Sequence, residues 1–230
     1  MNTWTKWTFL LGIAFYLASC DWVDREQPAS VLPRYSPLQV GRFWVYEVDE
    51  RVYFGENDFE DTRYYYRDQI TEEFLNEQGQ VAFRVIRQKS LDRQVWENEQ
   101  AYGLRLAENR LIRLMDNIQE IRLVYPIQLL KEWDSNAFNT RSTEIFTIER
   151  VGSYALGERV FPAAVVVRHM EDDDLITFRD NRYEVYAENL GMVEKYSEVF
   201  SYCSRSDCLG QQIIQSGRFI HLKLMTHGIL

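Results

Sequence analysis

From Leu38 onward this 230-residue chain is a succession of short runs in which apolar residues recur at every second position, and most runs end at Asn, Asp or Gly. A period of two belongs to the β-strand, whose side chains point alternately to the two faces of a sheet. Phe43–Val48 sets Trp44, Tyr46 and Val48 on one face. Arg63–Phe74, Val81–Arg87, Val95-Trp96, Tyr102–Leu106, Leu111–Met115 and Ile118–Val124 continue the pattern, broken at Asn76–Gly79, Asn98-Glu99, Glu108-Asn109 and Asp116-Asn117. Asn and Asp tolerate positive φ, which suits them to tight turns. Few arms are expected to exceed about five or six residues. Pro126–Ser142 is less regular, and Ile127–Trp133 reads either as one or two helical turns or as a loop that plugs the core with Trp133. Strands resume at Glu144–Val151, Phe161–His169, Leu175–Phe178, Tyr183–Ala187 and Met192–Phe200, and a last one begins at Ile213-Ile214 and closes with Phe219–Met225. Ala163–Val167 is apolar on both faces and marks the most buried strand. The spacing therefore predicts an all-β, mainly antiparallel fold, a strongly curved sheet or open barrel of ten or more strands. Pro37–Tyr46 and Pro126–Trp133 share a Pro-then-Trp layout, a hint of two related halves.

The N-terminus obeys a different rule. Lys6 precedes a short apolar run, Thr8–Ala18, which falls below the roughly 20 residues of a spanning helix and reads as the helix of a signal peptide. Leu17-Ala18-Ser19-Cys20 resembles the lipobox of bacterial lipoproteins. That resemblance implies diacylation of the Cys20 sulfur, palmitate being a usual donor, cleavage before Cys20, and acylation of the new amine. Multiple acyl chains hold a protein on a bilayer where one does so only reversibly. The chain divides accordingly into a signal peptide (1–19), a lipidated tether (20–37) containing Pro28, Pro33 and Pro37, and one β-rich domain (38–230). Asp21 resembles an inner-membrane retention signal of enteric bacteria, while Asp21, Asp24 and Glu26 together resemble the acidic export signals of Bacteroidota surface lipoproteins. The outer membrane is the favoured address. No later segment reaches 18 apolar residues.

Candidate chemistry is sparse. A net charge of −9 gives nothing to displace phosphate counterions, so nucleic acid is not an expected partner. With Cys20 lipidated, Cys203 and Cys208 flank a polar loop and read as a small disulfide. A free dithiol and half a metal site are the alternatives, although no second Cys or His pair would complete four ligands. His221 and His227 are about 20 Å apart if extended and share no metal, and His169 has no sequence neighbour that orients it as a base. Glu171–Asp174 reads as a solvated hairpin tip rather than a calcium loop, which would need spaced Asp residues and a turn Gly. No nucleophile elbow, phosphate loop or zinc motif occurs. No cofactor or metal is expected, and the chain is read as no enzyme. Six Trp, fourteen Tyr and thirteen Phe are expected chiefly to fill the core and pair across strands.

Two further segments carry a resemblance. Tyr35-Ser36-Pro37-Leu38-x-x-Gly41-x-x-Trp44-x-Tyr46 is similar to the opening of uncharacterised Bacteroidota-type envelope lipoproteins. Tyr186-Ala187-Glu188-Asn189-Leu190-Gly191-Met192-Val193 resembles their later aromatic strand and glycine turn, with Asn189 in place of a first glycine and Leu190 in place of a valine. The resemblance implies location and architecture, with no activity attached. The function expected is that of a membrane-anchored, non-catalytic lipoprotein binding an envelope protein or a glycan. The alternative is a lipid or lipoprotein carrier with a half-barrel apolar cavity.

Overall fold

The computed structural model describes residues 34–76 and 78–230, and every regular element among them is a strand. The signal peptide with its expected helix, Cys20 and most of the tether lie outside the described residues. The strands are β1 (Arg42–Gly55), β2 (Asp58–Leu75), β3 (Val81–Ser90), β4 (Glu97–Ala107), β5 (Arg110–Met115), β6 (Ile118–Val124), β7 (Glu132–Asp134), β8 (Ile145–Leu156), β9 (Arg159–Asp173), β10 (Phe178–Ala187), β11 (Gly191–Tyr202) and β12 (Ile214–Ile229). They form one sheet in the order β6-β5-β4-β3-β2-β1-β12-β11-β10-β9-β8-β7, and each pairing is antiparallel. The all-β class expected from the alternation is what forms.

Two six-strand meanders are thus joined where the first strand pairs with the last, with Arg42 opposite Ile229 and Tyr46 opposite Leu224. The sheet curls until its edges meet. The Ile121 amide donates to the Ser135 carbonyl at 2.9 Å, and the Trp133 indole donates to the Ile121 carbonyl at 2.9 Å. This seam makes the sheet a nearly closed barrel. Trp133 neither sits in a helical turn nor plugs the barrel from a loop. It belongs to β7, half-buried, edge-on to Phe146 at 5.9 Å. The two halves match in strand number but not in shape, since β1 has 14 residues and β7 three.

Register explains the core. Tyr46 faces Tyr66 on one side and Leu224 on the other, and Val48 faces Tyr64 and Leu222, so one parity of each strand points inward. Those residues, with Ile70, Val85, Phe146, Val165 and Val167, form one buried cluster. Ala164–Val167 is buried on both faces, as its unbroken apolarity predicts.

Strand lengths depart from expectation. The arms of β2, β9 and β12 run to 18, 15 and 16 residues. In the β1–β2 hairpin, Arg51 stands opposite Asp61 and Asp49 opposite Arg63. These cross-strand charge pairs continue a ladder that apolar alternation alone would have ended. Leu175–Thr177, expected in a strand, is instead a turn. The Asp174 carboxylate accepts from the amides of Ile176 and Thr177 at 2.9 and 2.6 Å, which makes the acidic run a capped hairpin tip. The last strand, expected to begin at Ile213-Ile214 and close at Phe219–Met225, forms as one strand and runs on to Ile229.

Gly41 opens β1 with φ +87°, and a Cβ there would lie 2.8 Å from the Leu230 carbonyl oxygen. Gly79 also has positive φ (+71°) but faces open space. Gly41→Ala is expected to cost about 2–3 kcal/mol by urea denaturation and Gly79→Ala about 1 kcal/mol, because only the first adds a backbone clash to the strain of a left-handed conformation.

Candidate functional site

The two segments that carry the family resemblance lie about 145 residues apart in sequence and meet at one mouth of the barrel. The Trp44 indole donates to the Leu190 carbonyl at 2.5 Å and the Tyr46 hydroxyl to the Met192 carbonyl at 3.0 Å. Gly191 has φ +88°, and a Cβ there would lie 3.6 Å from both Pro37 and Trp44. Arg34 pairs with Glu188, and the Ser36 and Tyr125 hydroxyls are 2.7 Å apart. Ser36 and Leu38 are buried. The last residues assigned to the tether, Tyr35–Pro37, therefore pack against the domain.

Behind this mouth is a cavity of about 90 Å³ lined by Tyr35, Trp44, Tyr46, Tyr102, Tyr186 and Met192, together with six charged residues: Asp68, Arg87, Arg113, Arg122, Glu184 and Lys195. Two locked pairs organise it. Arg87 grips Asp68 with two hydrogen bonds of 2.7 and 2.6 Å, and the Tyr102 hydroxyl donates to the same carboxylate at 2.9 Å. Glu184, 2% exposed, accepts from Arg122 and, at 2.6 Å, from the Tyr186 hydroxyl. Burial alone would raise the Glu184 carboxyl, but the Arg122 guanidinium, with His169 and Lys195, outweighs it and holds the group well below the usual carboxylate range. His169 stacks on Phe146 at 3.8 Å. Its burial, reinforced by Arg122, keeps its pKa well below the ordinary value.

Lys195 is the exception. It stands opposite Glu184 in the β10–β11 register, yet its Nζ stays 3.9 Å from the carboxylate and donates to no acceptor among the described residues. Burial, with Arg113, Arg122 and Arg87 against it, pushes the amine down to about 7 despite Glu184.

A second feature lies outside the barrel. A groove of about 480 Å³ carries Phe74, Asn76, Gln78, Arg84, Gly103, Asn117 and Gln119, and adjoins one of about 300 Å³ containing Gln80, Arg105 and Phe138. Gln78 and Gln119 line both. Arg105, buried, donates to the side-chain oxygens of Gln80 and Gln119. The amide nitrogens of those two residues stay without partners among the described residues. An aromatic ring stands in each half of this trough of primary amides.

Of the candidate chemistry singled out from sequence, His169 backs the cavity 3.8 Å from Glu184, while the cysteines and His221 lie apart from both features. Cys203 and Cys208 stand at bonding distance with Cα atoms 5.8 Å apart. His221 meets the buried Glu194 at 2.6 Å on the outer face, where Tyr154 and Tyr183 also donate to that carboxylate. The charged interior escaped sequence reading because strand charges look like a solvent face. One signal was available: Asp68 shares parity with Tyr64, Tyr66 and Ile70.

No family model matches the chain, and no curated protein does. Among solved structures, a Bacteroides fragilis protein inferred to be exported, with a YmcC-like fold, is similar at 11% identity and TM-score 0.41, over 85% of this chain and 99% of its own. A likeness of that size says nothing about either site.

The buried charges lead to two expected outcomes. Glu184→Gln leaves Arg122 half-paired in the interior and is expected to cost about 3–5 kcal/mol in urea unfolding. Glu149→Gln, breaking the exposed pair with Arg168, should cost at most about 1 kcal/mol. For Lys195, the unfolded chain holds its proton up to the ordinary 10.5 while the folded chain releases it near 7. Between those values the unfolded state binds more protons, so this group makes stability rise with pH. Lys195→Met is expected to raise Tm near neutral pH and to lose that advantage as the pH approaches the upper value, as thermal melts along a pH series will show.

Proposed function

We propose that this chain is a lipid-anchored protein of the bacterial envelope, held in the outer membrane through acyl groups on Cys20, whose barrel is a non-catalytic module that binds a glycan in the outer groove. The amide trough carries the reading. Gln80 and Gln119, their oxygens held by Arg105, present N–H donors to sugar hydroxyls, and Gln78 and Asn117 can both donate and accept. Phe74 and Phe138, each with an arginine over one face, offer the other face to the C–H side of a sugar ring. A few well-placed polar groups beside aromatic surface are the ordinary make-up of a small-molecule site. Arg105 fixes Gln80 and Gln119 before any ligand arrives, which lowers the ordering cost of binding.

The carrier alternative asks for an apolar hollow. The cavity observed is small and bears six charged residues, which acyl chains would desolvate without pairing. A non-catalytic role is supported by the locking of Asp68 and Glu184 in arginine pairs, which leaves neither poised as a base.

Palmitate labelling of the expressed chain should mark the wild type and not Cys20→Ser, which should also leave the membrane fraction. An unlabelled, freely soluble wild type would overturn the anchoring. For the groove, calorimetric titration of neutral oligosaccharides into the detergent-solubilised mature protein should show binding that Phe74→Ala and Gln119→Ala each weaken about tenfold, the loss of one stacking or hydrogen-bonding contact. Binding untouched by both changes would remove the groove from the reading.

A further inference from the structure

We infer that the barrel interior is a binding site for a small oxyanion, such as sulfate or a phosphate group, held by Lys195 with Arg113 at the wall of the cavity. Four cations and two carboxylates line this space, in a protein whose net charge is −9. Glu120, outside the lining, pairs with both Arg113 and Arg122, so against three carboxylates the four cations leave one positive charge in local excess. Asp68 is taken by Arg87 and Tyr102, and Glu184 by Arg122 and Tyr186. Arg113 gives one nitrogen to Glu120 at 2.6 Å, while its Nε is buried without an acceptor.

Two cationic side chains thus line one cavity: Lys195, whose ammonium donates to no acceptor among the described residues, and Arg113, of which one terminal nitrogen is given to Glu120. The Lys195 ammonium is 3.9 Å from Glu184, too far for a hydrogen bond, and its side chain is 30% exposed, so its donors are open to an anion that enters the cavity. The cavity of about 90 Å³ exceeds the roughly 10–15 Å³ needed for one water, leaving room for a small ion. Burial, and after it the guanidinium groups of Arg113, Arg122 and Arg87, lowers the Lys195 amine to about 7. An anion would reverse this, so binding takes up a proton near neutral pH. The groups facing the ion are Lys195, Arg87, Arg113, Arg122, Asp68 and Glu184, with Tyr46, Tyr102 and Tyr186 around them, Glu120 behind Arg113 and Arg122, and His169 behind Glu184. Burial keeps His169 and the phenols of Tyr46, Tyr102 and Tyr186 neutral, and Arg122 outweighs burial to hold Glu184 ionised, so Lys195 is the member whose charge changes near neutral pH.

The test is a thermal melt of the full mature chain with sodium sulfate, against sodium chloride of equal ionic strength. Sulfate keeps its charge across the range used. Saturating sulfate should raise Tm by about 3 °C or more at about pH 6, and by much less at about pH 9. Lys195→Met should fold with an equal or higher Tm in chloride and lose the sulfate response, and Lys195→Arg should keep it. An equal response in Lys195→Met, no response in the wild type, or a response independent of pH would each overturn the site. Because the groove shares no residue with the Lys195–Arg113 pair, oligosaccharide binding by Lys195→Met should match the wild type, so failure here is distinct from failure of the glycan reading.

Discussion

The pairing of β1 with β12 is the constraint on which the rest of the molecule depends. Each meander alone is a local structure of consecutive hairpins, and each would expose two unpaired edges, a standing invitation to association. Joining the first strand to the last, across nearly the whole chain, merges the halves and leaves only β6 and β7 as edges. Those then close on each other through Ile121, Trp133 and Ser135. Such non-local pairing costs loop-closure entropy before it is rewarded. Gly41 stands at this junction, against the Leu230 carbonyl, where no side chain fits.

Closing the sheet also fixes what becomes interior. Once curvature selects one parity of each strand, any charge on that parity is enclosed and must be paired. Asp68 meets Arg87 across β2–β3, where the register sets them directly opposite. Glu184 needs a partner from farther away, and receives Arg122 from the other meander. Buried pairs of this kind add little net stability over apolar packing, but they do discriminate: a one-residue slip of β10 would strand Glu184 without Arg122. The seam is thus held by the Ile121–Ser135 backbone hydrogen bond and the Trp133 indole, and specified by charge.

How much of this was legible in the sequence depends on range. Hairpins were readable because alternation and Asn or Asp turns act over a few residues. Ile118–Val124 forms with the limits expected, and Trp44, Tyr46 and Val48 share the face their spacing gave them. The β1–β12 pairing and the seam were not readable, because no local signal couples Tyr46 to Leu224 or Ile121 to Ser135. Parity was unreliable where the ladder shifts, as between Val185 and Tyr186 or Leu111 and Ile112. Each bulge inverts the inside–outside assignment of the residues beyond it. Glu184, Lys195 and Arg122 lie close to such shifts, so they passed for solvent-facing charges, and His169 seemed without partners because Arg122 and Glu184 come from other strands. The amide trough was hidden for another reason: Gln and Asn are common turn residues, and only the fold shows Gln78, Gln119 and Asn117 sharing one trough.

A filled interior and a pre-set outer groove are two consequences of one design. A hollow barrel can deform to admit cargo, whereas one braced by Arg87–Asp68 and Arg122–Glu184 holds its strands in a fixed register. Groove residues on the opposite parity inherit that rigidity. Gln119 and Gln80 sit on or beside strands whose inward neighbours are locked, and Arg105 fixes their oxygens from below. Affinity for a flexible polar ligand depends heavily on how little the protein must reorganise. The charged core therefore keeps still the surface on which the amides are mounted, which is what the proposed recognition in the groove would need.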